Sequence, residues 1–506
     1  MAADIVPPIS SADDAATIEE LGYTQELHRG IGSFAAFASG FSFVSILTTV
    51  FAFFPLGFAL GGSAFFFTWP IVFVCQFCVC LVFAELSGKF PVAGAIYQWS
   101  RRLAGDGIGW FAGWFMLIGY VVSIAALAIA MQSVLPSIWG GFQLIGGDPN
   151  PLSISGATNG IILGVITIFV CTLISSIGVR FMARITVAGV FLEIIGVVVI
   201  IIAMFCTAER GPVAAVTDTA GHGSGAGYLP AFITSMVMAA YVMYGFDSAA
   251  ELSEEIRDPR RVAPKAIVNA LLVSFVGGGL MILAALMAAP SLGDDLAAGG
   301  IAWVIQSQLT SWLGKTLLAL VAVAIFSATL ATQASASRVM FSMARDDRLP
   351  FAAVLSRVNR RTGTPVNTGI AVSGCAIIVL FLNIGQSSVF AALASVAVVV
   401  VYLAYLMVTI PALLHRLRGR SLSHGGPVMN LGRWGIPVNV VAVVMGSLLV
   451  INIGWPRAEV YNPSGDSAVL QYFAAIFVAA MTVTGFLAYR SVEKRRNARD
   501  SVRCNR

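Results

Sequence analysis

The chain has 506 residues, of which 58% are hydrophobic and only 11% charged, and its mean hydropathy is +0.87. Soluble domains contain about a quarter charged residues, so this composition excludes a soluble protein and predicts an integral membrane protein. The net charge of +5 says less about function than the position of the charges along the chain.

The first 28 residues are polar and rich in Asp and Glu. A secretory signal peptide would instead begin with a basic stretch followed by a short apolar core. We therefore predict no signal peptide, and residues 1–30 are predicted to form an N-terminal tail in the cytoplasm.

Apolar windows of about 19 residues, the length that spans a bilayer, recur along the rest of the chain. We predict an all-α polytopic membrane protein with one transmembrane domain over residues 31–489. Its twelve predicted transmembrane helices lie near residues 33–58, 63–86, 109–135, 159–177, 185–207, 229–252, 266–289, 315–337, 367–385, 388–411, 434–454 and 468–489.

Basic residues orient these spans. With the N-terminus in the cytoplasm, only Arg210, Lys315 and Arg457 of the 30 Lys and Arg residues fall on the outer side, as the positive-inside rule requires. The basic segment 490–506 is then a cytoplasmic tail, which we favour over a nucleic-acid-binding patch. The predicted location is the cell membrane, with both termini cytoplasmic and no nucleic-acid partner.

Two spans contain residues that interrupt a helix. The first includes "ASGFSFVSILTTVFAFFPLG" (38–57), with a run of Ser and Thr, and the sixth includes "AAYVMYGFDSAAELSEE" (239–255), in which acids follow Gly245. Backbone freed at membrane depth is tolerated only where it is buried in protein or lines a cavity. We predict that both helices are broken; the alternative is that their small residues only allow close helix packing.

The two predicted breaks are five spans apart, so they run through the membrane in opposite directions. This spacing predicts two inverted five-helix repeats, about 31–207 and 228–411, followed by two extra helices at about 434–489. In such an architecture the breaks face each other near the midplane, and their free N–H and C=O groups bind a small polar substrate.

An isolated acid, Glu193, lies inside the fifth span in "ARITVAGVFLEIIGVVVIIIAMF" (183–205). It follows the basic Arg184 by nine residues, a depth of roughly 13 Å at about 1.5 Å per residue. Ionisable groups at such depth are functional candidates by default. Three roles are open to Glu193: carrying a proton, facing a cationic substrate, or hydrogen-bonding a neighbouring helix as a neutral acid.

Several motifs, taken together, are typical of one family. They are "LHRGIGSFAAFASGFSF" (27–43), "FAELSGKFPVAGAIYQWSRRLAG" (83–105), "GVRFMARITVAGVFLEIIG" (178–196), "YGFDSAAELSEEIRDPRRVAPKAI" (244–267), "ASASRVMFSMARDDRLPFAAVLSRVNRRTGTPVN" (334–367) and "GPVMNLGRWGIPVN" (426–439). The sequence resembles the amino acid, polyamine and organocation permeases, and most of all their amino acid and choline transporter branch, which includes γ-aminobutyrate and choline permeases. The resemblance runs from about Leu27 to the twelfth span.

The resemblance implies which residues bind the substrate. They are Ser45, Ile46, Leu47 and Thr48 in the first break, and Tyr244, Gly245, Phe246 and Asp247 in the second. The family often has a Gly-Ser-Gly stretch in the first break, and this sequence lacks both glycines. In several proton-coupled relatives a lysine at the position of Glu193 stands in for a sodium ion, so the resemblance implies a proton-coupling or cation-binding role for Glu193.

More acids follow the second break. Asp247, Glu251 and Glu254 are spaced four and three residues apart and share one helical face. For Glu254 and Glu255 we expect a solvated inner helix end that pairs with the arginines just beyond, which are Arg257, Arg260 and Arg261.

We expect a secondary transporter that moves amino acids or related amines by alternating access, with a proton and the lipid bilayer as its other partners. The sequence has no ATP-binding loop of the P-loop type, so the energy comes from an ion gradient or from substrate exchange. We expect no enzyme, because the four histidines (28, 222, 415 and 424) fall in loops or helix ends, away from Glu193 and Asp247. We expect no metal or cofactor either: the C-x-x-C spacing in "CQFCVC" (75–80) lies inside a span without a His and favours apolar packing. A nutrient sensor without transport activity is a further alternative.

Overall fold

The computed structural model describes residues 11–151, 153–222, 227–382, 387–419, 429–461 and 469–504. Within these residues all regular elements are helices, and two isolated β-bridges join Ile31 to Ile256 and Asn359 to Thr364. The helices of the first half are α1 (Ser11–Glu20), α2 (Ser33–Val44), α3 (Ile46–Gly61), α4 (Thr68–Lys89), α5 (Ala95–Ala104), α6 (Asp106–Ile138), α7 (Ile154–Ile177), α8 (Val179–Cys206) and α9 (Pro212–Val216). Those of the second half are α10 (Leu229–Val242), α11 (Ser248–Glu251), α12 (Pro259–Ala288), α13 (Asp294–Gln308), α14 (Ser311–Arg345), α15 (Ala352–Leu355), α16 (Val366–Phe381), α17 (Ser387–Leu417), α18 (Gly435–Gly454), α19 (Ala458–Tyr461) and α20 (Phe473–Cys504).

Ten stretches of the described chain are long and apolar enough to cross a membrane. They coincide with ten of the predicted spans, with α2 and α3 together forming the first. The shorter apolar helices α10 and α16 occupy the positions of the sixth and ninth predicted spans. The all-α polytopic fold is therefore confirmed, and the count of twelve includes these two shorter helices. Residues 383–385 and 468, at the ends of two predicted spans, lie outside the described residues.

Four of the five corresponding spans of the two predicted repeats pack against each other. Helix α3 lies against α10, α4 against α12, α6 against α14, and α7 against α16. Each pair joins a span to the one five places later in the chain, which is the pairing expected of two five-helix repeats related by a pseudo-two-fold axis. The two later helices pack at the edge of this bundle, α18 on α17 and α4, and α20 on α17 and α6.

Small residues let these helices approach closely, as is usual in membrane bundles. A Cβ added to Gly119 of α6 would lie 2.4 Å from Val401 Cγ2 of α17, and one added to Gly189 of α8 would lie 1.8 Å from Ser327 Oγ of α14. Because Gly189 is one turn before Glu193, this close contact of α8 with α14 also holds the acid inside the bundle.

Candidate functional site

The first break lies at Ser45, between α2 and α3. Ser45 has φ 40° and ψ 74°, left-handed values that residues with a side chain seldom adopt. The neighbouring Thr49 hydroxyl lies 3.0 Å from the carbonyl oxygens of Val44 and Ser45. Hydroxyl groups that bind nearby backbone in this way compete with the helical hydrogen bonds. The run of Ser and Thr thus interrupts the helix where the sequence predicted a break.

Glu193 of α8 reaches this break. Its Oε1 accepts a hydrogen bond from Ser45 Oγ at 2.9 Å and a longer one from the Leu47 amide at 3.4 Å. The Leu47 amide belongs to the first turn of α3, where amides have no partner within the helix and the helix dipole favours negative charge. Glu193 is fully buried, and its Oε2 has no hydrogen-bond partner within the described part of the chain. The carboxyl group therefore caps α3 with one oxygen and keeps the other unpaired.

The second break lies between α10 and α11 and is centred on Gly245. This glycine has φ +87°, and an added Cβ would lie 1.8 Å from Phe43 Cδ1. Its N–H donates to the Tyr405 hydroxyl at 3.0 Å, and that hydroxyl donates to Asp247 Oδ1 in a short hydrogen bond. The Tyr120 hydroxyl donates to the other carboxylate oxygen at 3.2 Å. Only glycine fits this backbone and this contact.

The two breaks touch through one aromatic ring. The Phe43 ring, in the last turn of α2, lies 5.4 Å from the Tyr120 ring and 5.8 Å from the Tyr244 ring, between centroids. The Tyr244 hydroxyl is 3.1 Å from Ser123 Oγ of α6. Helices α2 and α6 and the second break therefore meet in this cluster.

The acids that follow the second break are fully buried, and each is held by hydrogen bonds or an ion pair. Glu254 accepts a hydrogen bond from the Ala93 amide at 3.0 Å and pairs with Arg345 at 2.8 Å. Glu255 pairs with Arg338 at 2.9 Å, and both side chains of this pair are at most 2% exposed.

These pairs correct the expectation of a solvated helix end paired with Arg257, Arg260 and Arg261. The partners come from α14, which packs against α11, and a contact between such distant parts of the chain leaves no trace in local spacing. Glu251, on the same helical face, accepts a longer hydrogen bond from the Ile96 amide at 3.4 Å.

The segment before α2 covers the same side of the bundle. The amides of Gly30 and Ile31 donate to the Glu255 carbonyl at 3.0 and 2.9 Å, and the Arg257 amide donates to the Ile31 carbonyl at 3.0 Å. We call this side, with its pairs of Glu254 with Arg345 and Glu255 with Arg338, the closed layer.

A polar cluster extends the closed layer away from the breaks. The Tyr23 hydroxyl donates to Asp346 at 2.9 Å, and Arg101 pairs with the same carboxylate at 2.7 Å. Burial, and next the charge of Asp346, raise the pKa of the Tyr23 hydroxyl. Tyr23 therefore stays protonated and keeps its role as a donor.

A cavity of about 90 Å³ lies beside both breaks, away from the closed layer. Its lining belongs to the parts of α2, α3 and α10 that adjoin the breaks, to the second half of α6 and to α17. The residues nearest the breaks are Phe43, Val44, Thr48, Thr49, Val242 and Tyr244. The breaks thus form one end of the cavity.

The eight predicted binding residues fall into different places around this cavity. Thr48 and Tyr244 line it. Ser45 and Leu47 contact Glu193 instead. The other four do not line the cavity: Gly245 forms the turn, Asp247 is held by two tyrosines, and Ile46 and Phe246 are buried in the core.

Sequence reasoning missed Phe43, Ser123, Tyr120 and Tyr405, which come from three helices other than α3 and α10. A tyrosine in an apolar span is a weak sign of a buried hydrogen bond. Its partner, however, is set by helix packing, so the link from Tyr120 and Tyr405 to Asp247 was not accessible from the sequence.

A helical membrane bundle whose two broken helices meet beside a cavity defines the broken-helix class of membrane transporters. A family model described as "Amino acid permease" matches residues 31–488, and the chain belongs to that family. The resemblance to the amino acid, polyamine and organocation permeases is confirmed, and with it the expectation that the protein is a transporter and not an enzyme.

Relatives cover most of the chain. Amino-acid permease BAT1 of Arabidopsis thaliana is 27% identical over 474 residues, which are 88% of this chain and 90% of that protein. The branched-chain amino acid permease BcaP of Lactococcus lactis subsp. cremoris is 29% identical over 354 residues, which are 68% of this chain and 73% of that protein. Together with the family, they make this chain a multi-pass membrane transporter for amino acids.

Proposed function

We propose that the protein is a secondary active transporter that moves amino acids across the cell membrane by alternating access and is driven by protons through Glu193. One observation carries this proposal: the buried Glu193 carboxyl group binds the Ser45 hydroxyl at the first break, beside the cavity. An ionisable group is thereby hydrogen-bonded to the start of α3, the helix that borders the substrate cavity.

The contacts of Glu193 with α3 support the proposal of proton coupling. As a carboxylate it caps the helix through Ser45 and Leu47, and the positive end of the helix dipole favours its charge. A proton on the unpaired Oε2 removes that charge and weakens the tie between α8 and α3. If the two helices separate during the transport cycle, protonation and access to the cavity are linked.

In an alternating-access cycle the closed layer is the gate on one side of the substrate, and the cavity is the substrate space on the other side of that gate. The positive-inside rule puts the closed layer on the cytoplasmic side, together with the tails 1–30 and 490–506 that flank the transmembrane domain 31–489. The described state is then closed to the cytoplasm, with its cavity in the outer half. Opening inward requires that the pairs of Glu254 with Arg345 and Glu255 with Arg338 separate.

The substrate site we propose is the cavity end formed by the breaks. Thr48 and Tyr244 contact the substrate directly. Ser45, Ile46 and Leu47 shape the first break. In the second break, Gly245 and Asp247 hold the backbone next to the substrate through the Tyr405 hydrogen bonds, and the Phe246 ring packs against the Tyr405 ring.

The relatives support amino acids as substrates, and one relative named a putative amino acid/polyamine transporter keeps polyamines in the comparison. BAT1 is named an amino-acid permease and BcaP a branched-chain amino acid permease, and both match across most of this chain. The family match over residues 31–488 points the same way.

The test is uptake of labelled compounds into proteoliposomes, with and without an inward proton gradient. The panel contains neutral, basic and acidic amino acids, γ-aminobutyrate, choline and putrescine. We expect gradient-driven accumulation of amino acids that a protonophore abolishes. Uptake only in exchange for preloaded substrate would establish an antiporter instead, and binding without any uptake would favour a nutrient sensor.

A further inference from the structure

The cavity has a polar end at the breaks. Helix α2 ends there at Val44 and α10 at Val242. The last carbonyl groups of a helix lack partners within it and carry partial negative charge, so two converging C-termini attract an ammonium group. The hydroxyl oxygens of Thr48 and Thr49 line the same end; Thr49 donates to the Val44 and Ser45 carbonyls and Thr48 is hydrogen-bonded to Ser45, so both oxygens face the cavity as acceptors. This end suits the charged amino group of a free amino acid.

The rest of the cavity is apolar except for the hydroxyl groups of Ser123 and Tyr241. Ser123, Ala126, Leu127 and Ala130 recur every three or four residues and so lie along one face of α6. Ala52, Phe53, Tyr241 and Val398 complete the lining. No Asp, Glu, Lys, Arg or His belongs to the described lining of the cavity.

The nearest buried acids are directed elsewhere. Glu193 binds Ser45 and the backbone of α3, and both oxygens of Asp247 accept hydrogen bonds from tyrosines. A charged substrate side chain would therefore lose its water in the apolar part of the cavity without gaining a partner, which is strongly unfavourable.

The size of the cavity restricts the side chain further. Its volume of about 90 Å³ is below the roughly 150 Å³ of an engineered apolar cavity that binds benzene. The amino and carboxyl groups of the substrate share this volume with its side chain, so the space of the described state favours small side chains over large ones and suits an aromatic ring least.

We infer that the substrates are neutral amino acids with aliphatic side chains, and that Ala126, Ala130 and Phe53 set the upper limit of side-chain size. This inference rests on the proposed function, because it assigns a substrate class to the cavity of that transporter. The two alanines leave the space that the aliphatic side chain fills, and the Phe53 ring closes it.

Competition against uptake of labelled leucine by the wild-type protein tests the substrate class. We expect unlabelled alanine, valine, leucine and isoleucine to compete, and lysine, glutamate and phenylalanine to fail at the same concentration. Preferred uptake of lysine or glutamate would overturn the inference and leave the proposed function intact. Absence of uptake for every amino acid would instead overturn the proposed function.

The variant Ala126→Leu tests the placement of the side chain. One methylene in an apolar pocket is worth about 10- to 200-fold in discrimination, so this larger change should lower leucine uptake relative to alanine uptake by at least about 10-fold. Phe53→Ala should act in the opposite direction and admit phenylalanine. The control is Ala59→Leu, an exposed position on α3 that does not line the cavity.

Ala130→Val gives a second, milder reduction of the same space. Each variant is first checked for the melting temperature and the gel-filtration profile of the wild type. An unchanged ratio of leucine to alanine uptake in folded Ala126→Leu or Ala130→Val would overturn the assignment of this wall to the substrate side chain.

Discussion

The two breaks occupy equivalent positions in the repeats but are held in different ways. At the first, the acid comes from another helix, and Glu193 uses one oxygen for Ser45 and Leu47 while the other stays unpaired. At the second, the acid belongs to the broken segment itself, and Asp247 has both oxygens bound by tyrosines.

This difference separates a movable contact from a fixed one. A single hydrogen bond to a charged group contributes about 1.5–3 kcal/mol. Protonation of Glu193 removes the charge and therefore weakens its contact with the first break enough for the contact to break. The second break combines a glycine turn with two tyrosine hydrogen bonds and loses several interactions at once if it is disturbed. We therefore expect the first break to respond to ions and the second to be sensitive to any structural change.

The largest effect is expected for Gly245→Ala. The new Cβ would lie 1.8 Å from Phe43 Cδ1, and a left-handed backbone costs a residue with a side chain about 1–2 kcal/mol. Uptake should fall to the background of protein-free vesicles. The matched control is Gly374→Ala, where no atom lies within 4 Å of an added Cβ, and it should transport normally. Normal uptake by Gly245→Ala would show that the second break is not required.

A smaller effect is expected for Tyr405→Phe. Its hydroxyl accepts from the Gly245 amide and donates to Asp247, so its removal leaves two buried groups unpaired, at about 1–3 kcal/mol each. Tyr120→Phe removes only the 3.2 Å hydrogen bond to Asp247 and should cost less.

Melting temperature and uptake rate, measured for both tyrosine variants, give the comparison. Tyr472, whose side chain is 50% exposed, provides the control variant Tyr472→Phe. A greater loss for Tyr120→Phe than for Tyr405→Phe would contradict the assigned hydrogen bonds.

The smallest effect is a difference between Ser45→Gly and Ser45→Ala. Both variants lose the hydroxyl that binds Glu193, but glycine adopts the left-handed conformation of this position without strain. The alanine variant should therefore be less stable than the glycine variant by about 1 kcal/mol. Thermal unfolding of the two proteins measures the difference, and equal stability would mean that the first break is not strained at Ser45.

The sequence predicted features that depend on local composition. Hydropathy located the spans, and the hydroxyl run and Gly245 marked both breaks, because helix interruption is a property of neighbouring residues. Contacts between distant helices could not be predicted from the sequence. We expected Glu254 and Glu255 to pair with nearby arginines, but their partners are arginines of α14.

The cavity wall was missed for a related reason. Ala126 and Ala130 look like ordinary residues of an apolar span, since nothing in their own sequence distinguishes a wall of a substrate cavity from a packed helix interface. Only the position of α6 beside both breaks gives these small side chains their proposed role.

Uptake by Glu193→Gln in proteoliposomes tests proton coupling most directly. Glutamine keeps an oxygen that accepts from Ser45 and Leu47 but cannot change its charge. The control is Glu209→Gln, at an exposed residue just beyond α8. We predict that the wild type and the control accumulate amino acid when protons flow inward, and that Glu193→Gln only equilibrates or exchanges it. Undiminished gradient-driven accumulation by Glu193→Gln would contradict the assignment of Glu193 as the proton carrier.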